Sequence, residues 1–265
     1  MNAAIAGTIK SKVAWEEMKL RQDELLLKDN AMKDLLASLV VQVMGMPLEE
    51  TMTYAKVNNE GATYDKILSA LDAKKACNAV LDQSGWEEFK DFDKTFFDPF
   101  SKSSACGFLN SQDRLRLYRI FLKRSVKNSE SGSQLTEENY EMVKEVQHML
   151  GISDSDEATE FRMNFGPELQ KTLNMAMLEI IGDDFTTELV SNLKEVVDKV
   201  VSDYKLPPAI VAEFAAPIYS RAVSAMSDKV NRCSLKRIIL LSFSLQTKMI
   251  ISFLFTIDAI INPNG

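Results

Sequence analysis

Cysteine is scarce in this chain, whose 265 residues include only Cys77, Cys106 and Cys233, far apart from one another. No CxxC pair occurs, so the sequence indicates neither a disulfide framework nor a zinc site. Isolated buried thiols in a reducing compartment fit this usage best, with a thiol pair between Cys77 and Cys106 as the alternative.

Glycine and proline are also infrequent, with 10 and 7 residues, and the polar clusters that mark β-hairpins are few. These absences argue against a strand-rich protein and favour an all-α fold. The hydrophobic content of 46% is enough for a sizeable core. We therefore expect either one large helical domain or two helical lobes.

Histidine is scarce, and no recognised catalytic or metal-binding motif occurs. The single histidine, His148, is placed near the exposed end of a predicted helix, with no nucleophile close to it in sequence. The acidic run 154–157 lacks the later ligands and the glycine of a calcium loop. No P-loop, GxGxxG, HExxH or GxSxG pattern occurs. The sequence thus predicts no catalytic, cofactor or metal site, and an enzyme with an unrecognised buried site is a less favoured alternative.

The clearest local pattern is a pair of helices across residues 136–161. Thr136 is a good N-cap, Gly151 suits the left-handed position after a helix, and Ser153 caps the second helix. Similar combinations of helix-ending residues around Gly45 and Lys205 predict further turns there. We interpret the spacing as an irregular array of helical hairpins, a HEAT-like helical repeat with two possible lobes.

The same reading divides the chain into N-terminal helices (1–62), a helical lobe with a basic helix (63–128), an acidic helical-repeat lobe (129–230) and a hydrophobic segment (231–265). A Ser/Gly-rich stretch at 128–134 marks the boundary between the lobes. Within these regions the pattern predicts a helix capped by Thr63, an aromatic helix capped by Ser84, and a kink at Pro217. The aromatic stripe from Trp86 to Phe97 is interpreted as core.

The C-terminal segment differs from the rest of the chain. Residues 238–261 are mostly Ile, Leu, Phe and Ser, interrupted by Lys248 and Asp258. This length is enough to span a bilayer, although the two charges disfavour it. A membrane segment, a buried core helix and a stretch foreign to the natural domain all stay open. The first two dozen residues contain acidic residues, which transit peptides avoid. They also lack the apolar run of a secretory signal, so we do not expect them to be a targeting leader.

Charge is unevenly distributed around a net value of −7. Residues 111–128 carry six basic side chains against Asp113, whereas acidic residues outnumber basic ones from 130 to 198. Cations in the last turn of the basic helix complement its dipole. An acidic protein without a nucleic-acid-binding signature is not expected to bind nucleic acid.

Several segments resemble the large stroma-facing helical-repeat subunit of the chloroplast inner-envelope protein import translocon, the TIC complex. That family's modules combine a Leu-Tyr basic helix, a Thr-Glu-Glu-capped helix and a Leu-Gly-Ile-Ser turn. The matching segments are LYRIFLKR (117–124), LTEE (135–138), MLGISD (149–154) and EA (157–158), with YDKI (64–67) and GPEL (166–169) fitting less specifically. The resemblance covers about residues 63–230, so the chain would be a fragment of such a subunit.

The resemblance implies a non-catalytic scaffold in chloroplast protein import, on the stromal side of the inner envelope. Its implied partners are precursor proteins with basic transit peptides, stromal chaperones and other translocon subunits, and membrane association is possible. The alternative from another class is a membrane-embedded translocon or channel subunit, with residues 238–261 as a spanning helix.

An independent argument from charge concerns transit peptides, which are basic and poor in acids. A concave helical surface with excess negative charge would attract such peptides. The competing interpretation is that these acids are only the solvated faces of amphipathic helices. The candidate partner-binding residues are Glu137, Glu138, Glu141, Glu145, Asp154, Asp156, Glu157 and Glu160.

Overall fold

A computed structural model describes residues 1–98, 104–127, 134–181 and 187–233. These residues form α-helices, two short 3-10 turns (Asp82–Ser84 and Glu87–Phe89) and no strand, so the predicted all-α fold is confirmed. The helices are α1 Asn2–Ile5, α2 Ser11–Glu24, α3 Asp29–Lys56, α4 Glu60–Leu81, α5 Phe92–Phe96, α6 Ser111–Lys127, α7 Glu137–Met149, α8 Asp154–Ile181, α9 Thr187–Asp203 and α10 Pro208–Cys233.

The chain divides into two compact units. Of the described residues, the first unit contains 1–98, 104–127 and 136–156, and the second contains 134–135, 157–181 and 187–233. This division differs from the predicted boundaries in two ways. Helix α3 packs along α4, so residues 1–62 share a core with the lobe that follows. Helix α7 packs on α4 and α6, and it therefore belongs to the first unit.

The core of the first unit follows the apolar stripes of α3, α4 and α6. Burial of these stripes is the main stabilising term. Aromatic side chains fill the space between helices: Tyr64 stacks on Phe121 with ring centroids 4.8 Å apart, and Phe92 lies 4.8 Å from Phe96. The phenylalanines of the predicted aromatic stripe are buried, as the sequence indicated; they are Phe89, Phe92, Phe96 and Phe97.

The turn predicted at Gly45 is wrong, because α3 continues through both Gly45 and Pro47. Proline removes one helical hydrogen bond, but tertiary packing holds the helix together. Met44 and Leu48 are fully buried on either side of the proline. The Thr51 hydroxyl donates a hydrogen bond of 2.7 Å to the Pro47 carbonyl. The predicted array of hairpins therefore loses its first turn, and the repeat arrangement is not confirmed.

Two predicted caps are also wrong in detail. Helix α4 is capped by Asn59, whose side chain accepts a hydrogen bond from the amide of Ala62 (3.1 Å). Thr63 is buried inside α4 instead and donates to the Asn59 carbonyl. Ser84 closes a 3-10 turn, and the single aromatic helix expected after it is replaced by a second 3-10 turn and the short α5, capped by Asp91.

The described part of the second unit is built from α8, α9 and α10. Helix α9 ends at Asp203, Lys205 follows it in the left-handed conformation (φ 50°), and α10 begins at Pro208, so the turn predicted there is confirmed. Phe165 stacks on Tyr204, with ring centroids 4.9 Å apart. Gly166 lies directly against the ring of Phe214, leaving no room for a β-carbon. A glycine at this point allows α8 and α10 to approach closely.

Some sequence predictions fall outside the described residues. These are the Ser/Gly-rich linker at 128–133 and the hydrophobic run 238–261, whose three interpretations stay open. Helix α10 continues through Pro217, where a kink was predicted.

Candidate functional site

The first turns of α7 carry three exposed members of the predicted set of acidic residues. Thr136 caps the helix by accepting a hydrogen bond from the amide of Asn139 (3.2 Å), as predicted. Glu137 and Glu138 follow in the first turn, and Glu141 lies one turn later; all three are exposed. Carboxylates are favourable at this end of a helix because its amide dipoles are positive there. The position of these acids at the start of α7 therefore has a structural explanation in addition to the predicted binding role.

The α7–α8 connection has the geometry that its sequence predicted. Gly151 has a φ of 60°. Its amide donates to the His148 carbonyl, and the Ile152 amide donates to the Gln147 carbonyl, at 3.1 and 3.0 Å. This pair of bonds is the Schellman motif. Ser153 then accepts from the amide of Asp156 (3.2 Å), so it caps α8. His148 is exposed at the end of α7, as expected.

Asp154 and Asp156 hold this turn together. Gln147 is buried, and its amide nitrogen donates to the Ile152 carbonyl (3.3 Å) and to Asp154 (3.0 Å). Asp156 accepts a hydrogen bond of 2.7 Å from the Ser153 hydroxyl. Both aspartates are nevertheless exposed. They stay available to a cationic partner while they also cap α8.

The remaining three candidates are not free surface carboxylates. Glu145 forms an ion pair with Lys75 of α4, at 2.9 Å. Glu157 and Glu160 are only 7% and 3% exposed, have partners within the fold, and belong to the second unit. Helical spacing alone did not distinguish them from the outward acids. Of the eight candidate acids, the exposed ones in the first unit are Glu137, Glu138, Glu141, Asp154 and Asp156, and we call these five residues the α7 acidic face.

The same turn occurs a second time, at the end of α2, where no turn was predicted. Gln22 is buried and donates to the Leu27 carbonyl (3.1 Å) and to Asp29 (2.8 Å), as Gln147 does to Ile152 and Asp154. Lys19 donates to the Gln22 side chain as Lys144 does to Gln147. A Lys-x-x-Gln pair followed by Asp seven residues after the Gln is the signal that could have revealed it. At the left-handed position this copy has Leu26 in place of glycine.

The basic helix α6 is used partly for packing. The guanidinium of Arg116 donates to the Ala55 carbonyl (2.8 Å) and to the Asn58 side chain (3.0 Å), so it closes the C-terminal end of α3. Arg114 donates to the Leu109 carbonyl just before α6 begins. Arg114 and Arg116 therefore make contacts within the fold and do not contribute freely to a continuous basic surface. The sequence pattern of six cations does not distinguish these two from the others.

The described residues contain no group of three or more His, Cys, Asp or Glu side chains arranged to hold a metal ion. Cys77 and Cys106 are both buried and unbridged. Burial raises the pKa of the Cys77 thiol to about 11, and it also raises the pKa of Cys106. A thiol with a raised pKa is a poor nucleophile at neutral pH.

One helix within the described ranges, α3, is long and apolar enough to cross a membrane by length and composition. The core helix of a water-soluble domain passes the same test. Helix α3 packs along α4, and Met44 and Leu48 are fully buried.

Comparison of the chain with protein-family models, with characterised proteins and with solved structures found no match.

Proposed function

We propose that the chain is a non-catalytic helical scaffold in chloroplast protein import, acting on the stromal side of the inner envelope. It would capture basic transit peptides reversibly and dock stromal chaperones and other translocon subunits. The proposal rests on the resemblance of residues 63–230 to the stroma-facing translocon subunit. The observation that carries the binding step is the α7 acidic face.

The electrostatics of this face suit weak, reversible capture. Glu138 and Glu141 are exposed and have no ion-pair partner among the residues described. The net charge of −7 adds a long-range attraction for a basic peptide. Exposed charges in water attract modestly and are screened by salt. Such a surface can therefore release its cargo.

The experiment measures binding of a fluorescently labelled basic transit peptide to the full chain by anisotropy. We expect a Kd in the micromolar range or weaker, about 10 μM to 1 mM, and weaker binding as the salt concentration rises from about 50 to about 200 mM. Charge reversal of Glu137, Glu138 and Glu141 to lysine should weaken binding about tenfold, because the peptide then meets repulsion where it met attraction.

A matched control distinguishes the effect of the α7 acidic face on binding from the effect of the net charge of the whole chain. Each reversal adds two positive charges, so the triple variant has a net charge of −1 instead of −7. Reversal of Glu16, Glu17 and Asp23 on α2, which are also exposed, gives the same net charge at a different place. If both variants lose affinity equally, the net charge acts alone and the α7 acidic face is not the binding site.

The second candidate function is a membrane-embedded translocon or channel subunit. The observation in its favour is that α3 has the length and composition of a spanning helix. Resistance of the full chain to carbonate extraction from membranes would support it. Loss of that resistance on deletion of residues 234–265 would assign the anchoring to the C-terminal run. A fully water-soluble full chain would count against it.

A further inference from the structure

Helix α8 leaves large apolar side chains in contact with solvent along one side. Met163, Met175 and Leu178 are 57, 55 and 67% exposed. Pro167 and Lys171 lie between them at helical spacing, and we call these five residues the α8 outer stripe. The three large side chains together expose on the order of 300 Å² of apolar surface, a size at which such patches are often functional.

The opposite side of α8 already lies against the core of the second unit. Phe165 and Leu169 are buried there, and Gly166 touches the ring of Phe214 on α10. The stripe points away from these contacts, so a further layer of structure is needed to cover it. Lys171 is its one charged member, and the aliphatic stem of a lysine can pack while its ammonium group stays in water.

A matching apolar surface is encoded at residues 238–261, outside the described part of the chain. Positions 239, 243, 246, 250, 253, 257 and 260, spaced by four and three residues in turn, hold Ile or Phe except for Gln246. In a helix this heptad spacing gathers these side chains into one seam. Lys248 falls opposite that seam and Asp258 falls to one side of it, so neither charge is buried when only the seam packs.

The chain is long enough to bring this seam to the stripe. Residue 238 follows the end of α10 at Cys233 by five residues, and α10 contacts α8 where Phe214 meets Gly166. Helix α10 extends about 28 Å beyond Phe214, and a helix over 238–261 is about 36 Å long. Such a helix can turn back along α10 and cover the stripe, which spans about 22 Å from Met163 to Leu178.

We propose that residues 238–261 form a helix that packs on the α8 outer stripe of the same molecule. Attachment to α10 gives this segment an effective concentration of about 1 mM at the stripe, which a separate partner would have to match. A bilayer-spanning helix would instead place Lys248 near the centre of the hydrocarbon, where a charge is costly. Packing on α8 leaves Lys248 in water and removes both apolar surfaces from it.

Peptide-resolved hydrogen exchange of the full chain tests this contact. Amides of residues 238–261 should exchange at least about tenfold more slowly than those of an unstructured chain of the same sequence. Ile250→Glu puts a charge into the seam and should remove most of this protection. Ser244→Glu is the matched control, because it adds the same charge on the opposite side of the helix, and it should leave the protection in place.

The stripe has its own pair of variants. Leu178→Glu should release residues 238–261, as Ile250→Glu does, because it puts a charge into the other half of the contact. Val196→Glu should not, since Val196 is 50% exposed in the same unit but lies on α9, outside the stripe. Exchange of the α8 amides reports whether Leu178→Glu keeps this helix folded. If it does not, Ile250→Glu against Ser244→Glu decides the outcome.

Cross-linking identifies what covers the stripe. A photoreactive benzophenone side chain at position 175 of the full chain should react with residues 238–261. Its yield should stay constant from about 1 to about 100 μM protein, because the contact is within one molecule. A yield that rises with protein concentration would assign the stripe to a second copy and overturn the proposal.

Unprotected exchange throughout residues 238–261, or equal effects of Ile250→Glu and Ser244→Glu, would also overturn it. Co-flotation of the full chain with phosphatidylcholine vesicles, reduced by both of these variants, would assign the segment to a bilayer instead. Capture of transit peptides uses the α7 acidic face of the first unit, whereas this contact lies in the second. Either proposal can therefore fail without the other.

Discussion

At the scale of single residues, the left-handed positions have the clearest energetic consequences. Gly7, Leu26, Asn58, Gly151 and Lys205 all end helices with a positive φ. Only glycine adopts this conformation without steric cost, while asparagine tolerates it better than other residues. A search of the sequence for glycine therefore misses the helix ends at Leu26, Asn58 and Lys205.

Replacement of Gly151 by alanine should destabilise the first unit by about 1 kcal/mol, because a β-carbon is strained at a φ of 60°. Urea denaturation followed by the fluorescence of Trp15 and Trp86 measures this, since both tryptophans lie in the first unit. Gly61→Ala is the control: Gly61 is helical, and its added β-carbon would make only ordinary contacts. That variant should be neutral or slightly stabilising, and an equal loss in both would argue against backbone strain.

The buried thiols make a second residue-scale prediction. Burial raises the pKa of Cys77 from 9.0 to about 11, so the unfolded chain releases this proton at a lower pH than the folded chain. The free energy of unfolding should therefore fall as the pH rises from 9.0 to about 11. Cys77→Ala should show a smaller fall over this range in urea midpoints. Parallel pH curves for the two proteins would show that ionisation of Cys77 is not coupled to folding.

At the scale of elements, buried glutamines organise two helix–helix turns. Gln22 and Gln147 each link the end of one helix to the first residue of the next. Both precede a helix of 28 residues that contains a proline, Pro47 in α3 and Pro167 in α8. The recurrence is of one turn and its flanking helices, which is less than the irregular array of helical hairpins that the sequence suggested.

Gln147→Ala should destabilise the chain by about 1 to 2 kcal/mol, because it removes two hydrogen bonds and leaves polar atoms without their partner. Gln22→Ala should have a similar effect. Gln42→Ala, at an exposed position of α3, is the matched control and should change the urea midpoint little. If Gln22 and Gln147 behave like Gln42, the turns are held by backbone bonds alone.

The crossing of α8 and α10 gives another element-scale test. Gly166→Ala would place a β-carbon in van der Waals overlap with the Phe214 ring, so we expect a loss of about 1 to 3 kcal/mol. Far-UV circular dichroism during thermal unfolding measures it. The double variant with Phe214→Leu should recover part of the loss, since the smaller side chain makes room. A double variant no better than Gly166→Ala would show that the cost is not this contact.

At the scale of the whole molecule, charge governs solution behaviour. The net charge of −7 and the isoelectric point of about 5.0 predict the lowest solubility near pH 5.0. The triple reversal of Glu137, Glu138 and Glu141 raises the isoelectric point and should move the minimum upward. Light scattering between about pH 4 and 8 measures both, and an unchanged minimum would mean that apolar contacts dominate precipitation.

The sequence by itself determined the helical class, the Thr136 and Ser153 caps, the Gly151 turn and the burial of the phenylalanines of the aromatic stripe, although Trp86 at its start is only half-buried. These features depend on local backbone preferences and on apolar periodicity, which neighbouring residues specify. Tertiary structure decided the rest. Packing carries α3 through Gly45 and Pro47, Arg116 is drawn to the end of α3, and Glu157 and Glu160 are buried although their spacing resembles that of exposed acids. Such outcomes depend on which distant side chains meet, and local sequence does not encode that.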